Sequence, residues 1–200
     1  MKHWTDKSTA ASSAAPVKLV SVSGSWQSPS KTRALTDAVA VAVGDRRPVE
    51  LTTIDLAEVG QAIVSLRDIK AAEPEIRLLF SAVEQSDLLI VGSPIFKASY
   101  TGIFKHFFDL FDPHALIGKP VLLTATGGTH HHALVLEHHI RPLFAFFRAR
   151  TLPTTIYAIA DDFEDGVLIN GAVKDRIEQA ADEAAHAIEL STFRRAGVRA

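Results

Sequence analysis

The sequence LLIVGSPIFKASYTG, residues 88–102, contains the strongest indication of the fold. Its first four residues, 88–91, are apolar without alternation, which is typical of a short strand covered on both faces. A glycine, a serine and a proline then end the run. Strands of this kind occur in parallel sheets with helices on both sides, so the stretch predicts an α/β domain.

Short apolar runs continue to alternate with helical segments on either side of this stretch. The first helix, for example, has Leu35, Ala38, Val39 and Ala42 on one face. This alternation predicts a flavodoxin-like three-layer sandwich, an α/β fold with a five-stranded parallel sheet in the order 2-1-3-4-5. Ligands of such sheets lie beyond the carboxyl ends of the strands, here the loops after strands one, three and four. The strands are predicted at residues 17–22, 49–55, 88–91, 121–125 and 154–159.

The composition fits one ordinary globular domain and narrows its chemistry. The chain has 200 residues, 47% of them hydrophobic and 22% charged, with a net charge of −2 and no cysteine. The lack of cysteine excludes disulfides, thiolate metal sites and cysteine nucleophiles, and it fits a cytoplasmic protein. The charge gives no basic field for nucleic acid, and no apolar run is long enough to span a membrane. We expect a disordered arm at residues 1–16, one domain at 17–193 and a C-terminal tail at 194–200.

The loop after the first strand, residues 23–32, has the features of a phosphate site. It leads into a helix, whose free N–H groups and positive dipole end favour an anion. Ser25, Ser30 and Thr32 can donate hydrogen bonds to a phosphate, and Lys31 can add charge. Neither a Walker motif nor a GxGxxG is present, which disfavours ATP and the usual dinucleotide fingerprint. The alternative is a simple N-cap formed by one of the serines.

The loops after the third and fourth strands, 92–102 and 125–129, supply other features of a ligand site. The first combines a proline with the aromatic residues Phe96 and Tyr100, a rim suited to a flat ring system. The second contains paired glycines, which let the backbone approach a ligand closely. The alternatives are ordinary core aromatics and a turn that needs glycine only for tightness.

With these loops, the chain resembles the NAD(P)H-dependent FMN reductases of the flavodoxin-like superfamily. In particular, it is similar to the reductase components of two-component alkanesulfonate or methanesulfonate monooxygenases. The motif at 92–102 is fairly specific, whereas the serine loop is shared with many quinone and azo reductases. The motifs that carry the resemblance lie at 24–25, 30–35, 92–102, 116–121, 125–129 and 136–143.

The resemblance implies an enzyme that oxidises NADPH or NADH and supplies reduced FMN to an FMNH2-dependent monooxygenase. No side chain needs to be catalytic, because hydride passes directly to flavin N5; Lys97 is a candidate for stabilising negative charge on the reduced flavin. Members of the group form homodimers or homotetramers, which the phenylalanine-rich segments 104–111 and 144–147 suit. The residues implied around the FMN phosphate are Ser25, Ser30, Lys31 and Thr32. Those implied along the isoalloxazine are Pro94, Ile95, Phe96 and Lys97, with Thr126, Gly127 and Gly128 at its other edge.

Two clusters of polar residues favour structural roles over catalysis. Residues 130–132 and 138–139 are all histidines, but they have no HExxH spacing, and clustered histidines are common at polar helix starts. In related sulfonate-system reductases a tyrosine can occupy the position of His138. The acidic segment 161–165 has no partner nucleophile or GxSxG elbow, so we interpret it as a solvated loop.

Two other functions remain open from the sequence. A quinone or azo reductase would keep its flavin and pass the electrons to an organic acceptor. A flavodoxin-type electron carrier or flavin-binding regulator would hold FMN tightly and oxidise NAD(P)H poorly. The near-neutral charge is an argument against a flavodoxin, which is expected to carry a strongly acidic face.

Overall fold

A computed structural model describes residues 16–197, with side chains described through residue 191. Apart from Pro16, the arm predicted at 1–16 lies outside the described residues. The strands are β1 (Val17–Ser23), β2 (Val49–Asp55), β3 (Leu88–Pro94), β4 (Pro120–Gly127), β5 (Arg150–Thr151), β6 (Ile156–Ile159), β7 (Phe163–Glu164) and β8 (Val167–Leu168). The helices are α1 (Lys31–Gly44), α2 (Leu56–Ile63), α3 (Pro74–Gln85), α4 (Gly102–Asp109), α5 (Arg141–Phe146) and α6 (Gly171–Gly197).

The main sheet is parallel, and its order β2-β1-β3-β4, with both β5 and β6 paired to β4, confirms the predicted flavodoxin-like α/β fold. The fifth position is divided between two short strands. Pro153 lies between them and has no N–H to contribute to the ladder. The N–H of Thr154 donates instead to Glu183 Oε2 of α6, at 2.9 Å.

Two apolar cores cover the two faces of the sheet. Leu88 and Ile90 belong to the core beneath α1 and α6, whereas Leu89 and Val91 belong to the core beneath α2–α5. All four side chains are fully buried. The prediction of a strand covered on both faces is therefore confirmed.

Two helical segments differ from the sequence-based prediction. The stretch after β2, for which the sequence predicts no regular element, forms α2, and the Asp55 carboxylate caps it by accepting from Ala57 N at 3.1 Å. The segment after β4, predicted as one helix, is a 3₁₀ turn at His130–His132, a π-helical turn at Leu136–Ile140 and then α5. The π-helical turn ends two residues before Pro142, which has no N–H to donate to a regular helical ladder.

The acidic segment 161–165 is only partly solvated, so that interpretation is wrong for Asp162. Its side chain is 3% exposed and accepts from Ile159 N at 2.7 Å and from Asn170 Nδ2 at 2.6 Å. These bonds join β6 to the start of α6 and explain why a carboxylate is buried here.

The last helix is long, but it is not a membrane-spanning helix. The backbone of α6 continues to Gly197, beyond the domain end predicted at Phe193. Within residues 16–197, no helix is both long and apolar enough to cross a membrane.

Candidate functional site

The carboxyl ends of β1, β3 and β4 meet at one edge of the sheet, where Ser23 aligns with Gly92 and Pro94 with Thr126. A cavity of about 360 Å³ lies at this edge. Of the eleven predicted site residues, Lys97 alone is absent from its described lining. The lining residues are Ser25, Gln27, Pro29, Ser30, Lys31, Thr32, Pro94, Ile95, Phe96, Thr126, Gly127, Gly128 and Ala160.

Three lining residues were missed by sequence reasoning. Gln27 and Pro29 belong to the predicted serine loop, but neither residue type by itself indicates a phosphate-binding role. Ala160 directly follows β6, which pairs with β4 so that Ile159 aligns with Gly127. This pairing brings Ala160 to the cavity, and it cannot be read from the sequence of β6 alone.

The first loop combines an N-cap with an open helix start. Ser30 Oγ accepts from Arg33 N at 3.3 Å, and Ser30 O accepts from Ala34 N at 3.0 Å. The N–H groups of Lys31 and Thr32 precede these donors, in the part of a helix that has no intrahelical acceptors. The capping and anion-binding interpretations are therefore compatible.

Hydroxyl groups join the first loop to the third beneath the cavity. Thr32 Oγ1 and Thr126 Oγ1 are 2.6 Å apart, and both threonines are buried. Gly92 makes this arrangement possible, since a Cβ there would lie 2.6 Å from both Thr36 Cγ2 and Thr124 Oγ1. A methyl group at Gly92 would therefore push α1 and β4 apart.

The second loop is fixed to the first by buried hydrogen bonds. Thr101 Oγ1 donates to Gly24 O at 2.7 Å, and Gly24 N donates to Gly92 O at 2.7 Å. The Phe104 ring leaves no space for a side chain at Gly24, where a Cβ would lie 2.5 Å from Phe104 Cδ2. These contacts hold β1, β3 and the start of α4 close together.

The rim of the cavity at Phe96 is a tight turn. The backbones of Phe96 and Ser99 exchange two hydrogen bonds, of 2.9 and 3.1 Å, around Lys97 and Ala98. These two residues have φ values of 51° and 65°, in the left-handed region that glycine prefers. Phe96 lines the cavity while remaining 54% exposed, and Lys97 is exposed outside it.

Comparison with known proteins identifies the family. Residues 17–164 match the model of the NADPH-dependent FMN reductase family. The chain belongs to this family. The predicted family is thereby confirmed, and so are an oxidoreductase activity and the use of FMN and NAD(P)H that define it.

Individual FMN reductases are similar over most of their length. The FMN reductase (NADPH) of Pseudomonas aeruginosa is 43% identical over 85% of this chain and 91% of its own. The NADH-dependent FMN reductase SfnF of Pseudomonas fluorescens is 44% identical over the same shares. Among solved structures, an apo NADH:FMN oxidoreductase (EMOB) superposes with a TM-score of 0.76 at 28% identity, covering 84% of this chain and 88% of that one.

The cavity of this FMN reductase family member fits a flavin mononucleotide in its chemistry. One end has a helix N-terminus, three hydroxyl residues and Lys31, the one charged residue of the described lining. The other end has the apolar surfaces of Pro94, Ile95 and Phe96, as a flat ring requires. The glycines at 127 and 128 leave backbone groups exposed to a ligand.

The histidines do not form a metal centre within the described part of this family member. No group of three or more histidine, aspartate or glutamate side chains there is placed to hold an ion. Arg141 donates to both carboxylate oxygens of Glu137, and this lowers the pKa of Glu137. His139 Nδ1 lies 3.2 Å from Ser99 Oγ and connects the π-helical turn to the rim of the cavity.

Proposed function

We propose that the protein oxidises NADPH or NADH, reduces FMN that it takes up from solution, and supplies the reduced FMN to a monooxygenase of the sulfonate-desulfonating type. Two similar proteins are described as NADH-dependent FMN reductases SfnF and SfnE, of Pseudomonas fluorescens and Pseudomonas putida. Another is described as an FMN reductase (NADPH), so either nicotinamide nucleotide is consistent with these relatives.

The proposal depends on one observation. The cavity built from three loops has a polar, positively charged end and an apolar end. Ser25, Ser30, Lys31 and Thr32 would hold the FMN phosphate, because the start of α1 offers N–H groups and a positive dipole end. The first turn of α1, which is wholly described, contains no acidic residue that would repel a dianion.

The remaining wall would hold the isoalloxazine. Pro94, Ile95 and Phe96 offer apolar contacts, and Thr126, Gly127 and Gly128 offer backbone groups for the polar edge of the ring. Ile95 N donates to Thr126 O at 2.7 Å, so these two walls are directly linked. A bound flavin would supply the redox chemistry as the hydride acceptor, and the protein would contribute orientation and electrostatics.

This division of labour agrees with the chemistry of the lining. Apart from Lys31, the described lining contains no residue with an ionisable side chain. Direct hydride transfer needs no general acid or base, so a lining poor in ionisable groups is sufficient for the reaction. Lys97 lies in the rim turn, and its electrostatic role stays a prediction.

Steady-state oxidation of NADPH and NADH, measured while free FMN is varied, tests the proposal. We expect saturable dependence on FMN at micromolar concentrations. The reduced FMN should then support turnover by an added FMNH2-dependent monooxygenase. If the rate depends on a quinone and does not change with added FMN, the protein is instead a quinone reductase with a permanently bound flavin. A tightly bound flavin without nicotinamide turnover would make it an electron carrier.

We also propose that the protein is a cytoplasmic homodimer or homotetramer. Six of the seven phenylalanines in the segments 104–111 and 144–147 are buried, but Phe146 is 65% exposed. It lies in a groove of about 670 Å³ between α4 and α5. The apolar part of the groove is lined by Tyr100, Phe108, Phe111, Leu143 and Phe147, and Lys105, Asp109, His138 and His139 also line it. A second copy would cover this groove, and light scattering of the purified protein tests the assembly. A monomer at micromolar concentration would contradict it.

A further inference from the structure

Tyr157 spans the glycine turn from the neighbouring strand. It lies on β6, opposite Ala125 of β4, and it is partly buried. Its hydroxyl donates a hydrogen bond of 2.8 Å to the carbonyl oxygen of Thr129. Residues 127 and 128 line the cavity, whereas Tyr157 lies behind them and is absent from the described lining.

The tyrosine and Gly127 form a matched pair. A Cβ at Gly127 would overlap Tyr157 Oη and lie 3.0 Å from Tyr157 Cζ. The end of the tyrosine side chain therefore fills the space beside Gly127, while its hydroxyl also holds the far end of the turn at Thr129. Gly128 between them has no atom within 4 Å of its Cβ position among the described residues, so it is free to face a ligand.

The hydroxyl remains a donor under ordinary conditions. Burial raises the pKa of Tyr157 above its usual value, which already lies well above neutral pH. The carbonyl of Thr129 can only accept, so the direction of the hydrogen bond is determined. The phenol therefore stays protonated and able to donate this hydrogen bond at neutral pH.

We propose that Tyr157 is a positioning residue that holds the 127–129 turn in the conformation required to bind FMN. The proposal rests on the proposed function. The end of the tyrosine side chain leaves room only for a glycine at position 127, and its hydroxyl fixes Thr129, so the backbone groups facing the cavity are oriented before the flavin arrives. Preorganisation of this kind increases affinity, because the turn does not have to be ordered on binding.

The variant Tyr157→Phe tests the hydroxyl while keeping the ring. One neutral hydrogen bond corresponds to about a three- to tenfold change in an equilibrium constant, and we expect the FMN dissociation constant and the KM for FMN to rise by this factor. The KM for the nicotinamide and kcat at saturating FMN should change less than about twofold, because the wall at Pro94–Phe96 is unaltered. FMN binding is measured by the change in its fluorescence, independently of turnover.

Tyr100→Phe provides the matched control, since the chain has only two tyrosines. The sequence predicted Tyr100 in the rim beside Phe96, but the structure places it against Phe104 in the groove between α4 and α5, outside the described lining of the cavity. It undergoes the same chemical change, and we expect FMN binding to remain within about twofold of the parent protein. Equal FMN affinity of the Tyr157→Phe variant and the parent protein would overturn the proposal.

Gly127→Ala tests the other half of the pair. Its methyl group displaces Tyr157, so we expect weaker FMN binding than in Tyr157→Phe. In the Tyr157→Phe background the overlap with Oη is removed, and the alanine should weaken FMN binding by a smaller factor than it does alone. Equal factors in the two backgrounds would mean that the two residues act independently, which contradicts the proposal.

These outcomes separate the positioning role from the function itself. A parent protein that binds and reduces FMN, with an unchanged Tyr157→Phe variant, removes only the role of Tyr157. A parent protein that neither binds nor reduces FMN removes both. A loss of thermal stability without a change in FMN affinity would show that the hydroxyl serves the fold alone, and it would also overturn the proposal.

Discussion

The two ends of the cavity are built differently. At the proposed phosphate end, Thr32 is buried and bonded to Thr126 of the neighbouring wall, and the space around Gly92 beside them admits no additional atom. At the ring end, the turn containing Lys97 and Ala98 is exposed and has two non-glycine residues in the left-handed region. The floor of the first end is close-packed and has no residue in the left-handed region, whereas the rim of the second end is exposed and strained.

This difference suggests a division of roles between the ends. A close-packed anion site is preorganised, since its donors need not move when the phosphate binds. The enzyme must bind a nicotinamide beside the flavin. An exposed rim has the room to shift that this second ligand requires. Substitutions at the phosphate end should therefore have large effects on stability and flavin affinity, and those at the rim smaller ones.

Gly92→Ala should give the largest effect. The methyl group would meet Thr36 and Thr124 at 2.6 Å, and overpacking of this kind should lower the free energy of unfolding by about 2–3 kcal/mol. FMN binding should be lost or strongly weakened, because Thr32 and Thr126 would be displaced. Denaturant unfolding and FMN fluorescence titration measure the two effects.

Gly102→Ala is the control for this substitution. Gly102 begins α4, and a Cβ there meets no atom within 4 Å among the described residues. Alanine is preferred over glycine in a helix, so this variant should be unchanged or stabilised by up to about 0.5–1 kcal/mol. If the two alanines had the same effect, the close packing at Gly92 would not be the cause.

Lys31→Gln should have the next largest effect. It should change the affinity for FMN without changing the stability of the protein. The lysine is exposed and lines the phosphate end, so its removal leaves the packing intact. We expect the KM for FMN to rise about tenfold at low salt, and by less at high salt as ions screen the charge. Riboflavin, which lacks the phosphate, should bind the variant and the parent protein equally. An equal loss for riboflavin would place Lys31 away from the phosphate.

The sequence was most informative where a residue's role depends on its own segment. Continuous apolar runs such as 88–91 identified the buried strands, and the order of the elements identified the sheet. The serine loop and the glycine turn were identified because they follow such strands. The helix start and its free N–H groups needed no knowledge of the rest of the chain.

The parts that sequence analysis missed depend on contacts between segments. The position of Ala160 depends on how β6 aligns with β4, and the proposed role of Tyr157 depends on the same pairing. The short helix α2 contains Gly60, which lowers its helical propensity, and it is held by tertiary packing of Leu56 and Ile63. No local pattern contains that information.

Lys97→Met tests the rim for electrostatics, with a smaller expected effect. If the ammonium group stabilises negative charge on reduced flavin, kcat should fall about three- to fivefold, the size of a solvent-screened interaction. Methionine occupies the same left-handed position without glycine's freedom, so the strain of the turn is unchanged. Lys70→Met, at an exposed lysine distant in sequence, is the control. Unchanged turnover would exclude Lys97 from the site.

Ala98→Gly should give the smallest effect and tests the strain directly. Alanine is strained at a φ of 65°, whereas glycine is not. The strain that is removed exceeds the entropic cost of introducing glycine, so we expect the free energy of unfolding to rise by about 0.5–1 kcal/mol. Ala185→Gly, in the partly exposed interior of α6, should instead lose about 1 kcal/mol. The two hydrogen bonds between Phe96 and Ser99 remain, so the KM for FMN should stay within about twofold. A stabilised variant with a clearly higher KM would show that the strained turn, like the phosphate end, is preorganised for the flavin, and the proposed division of roles between the two ends would then be wrong.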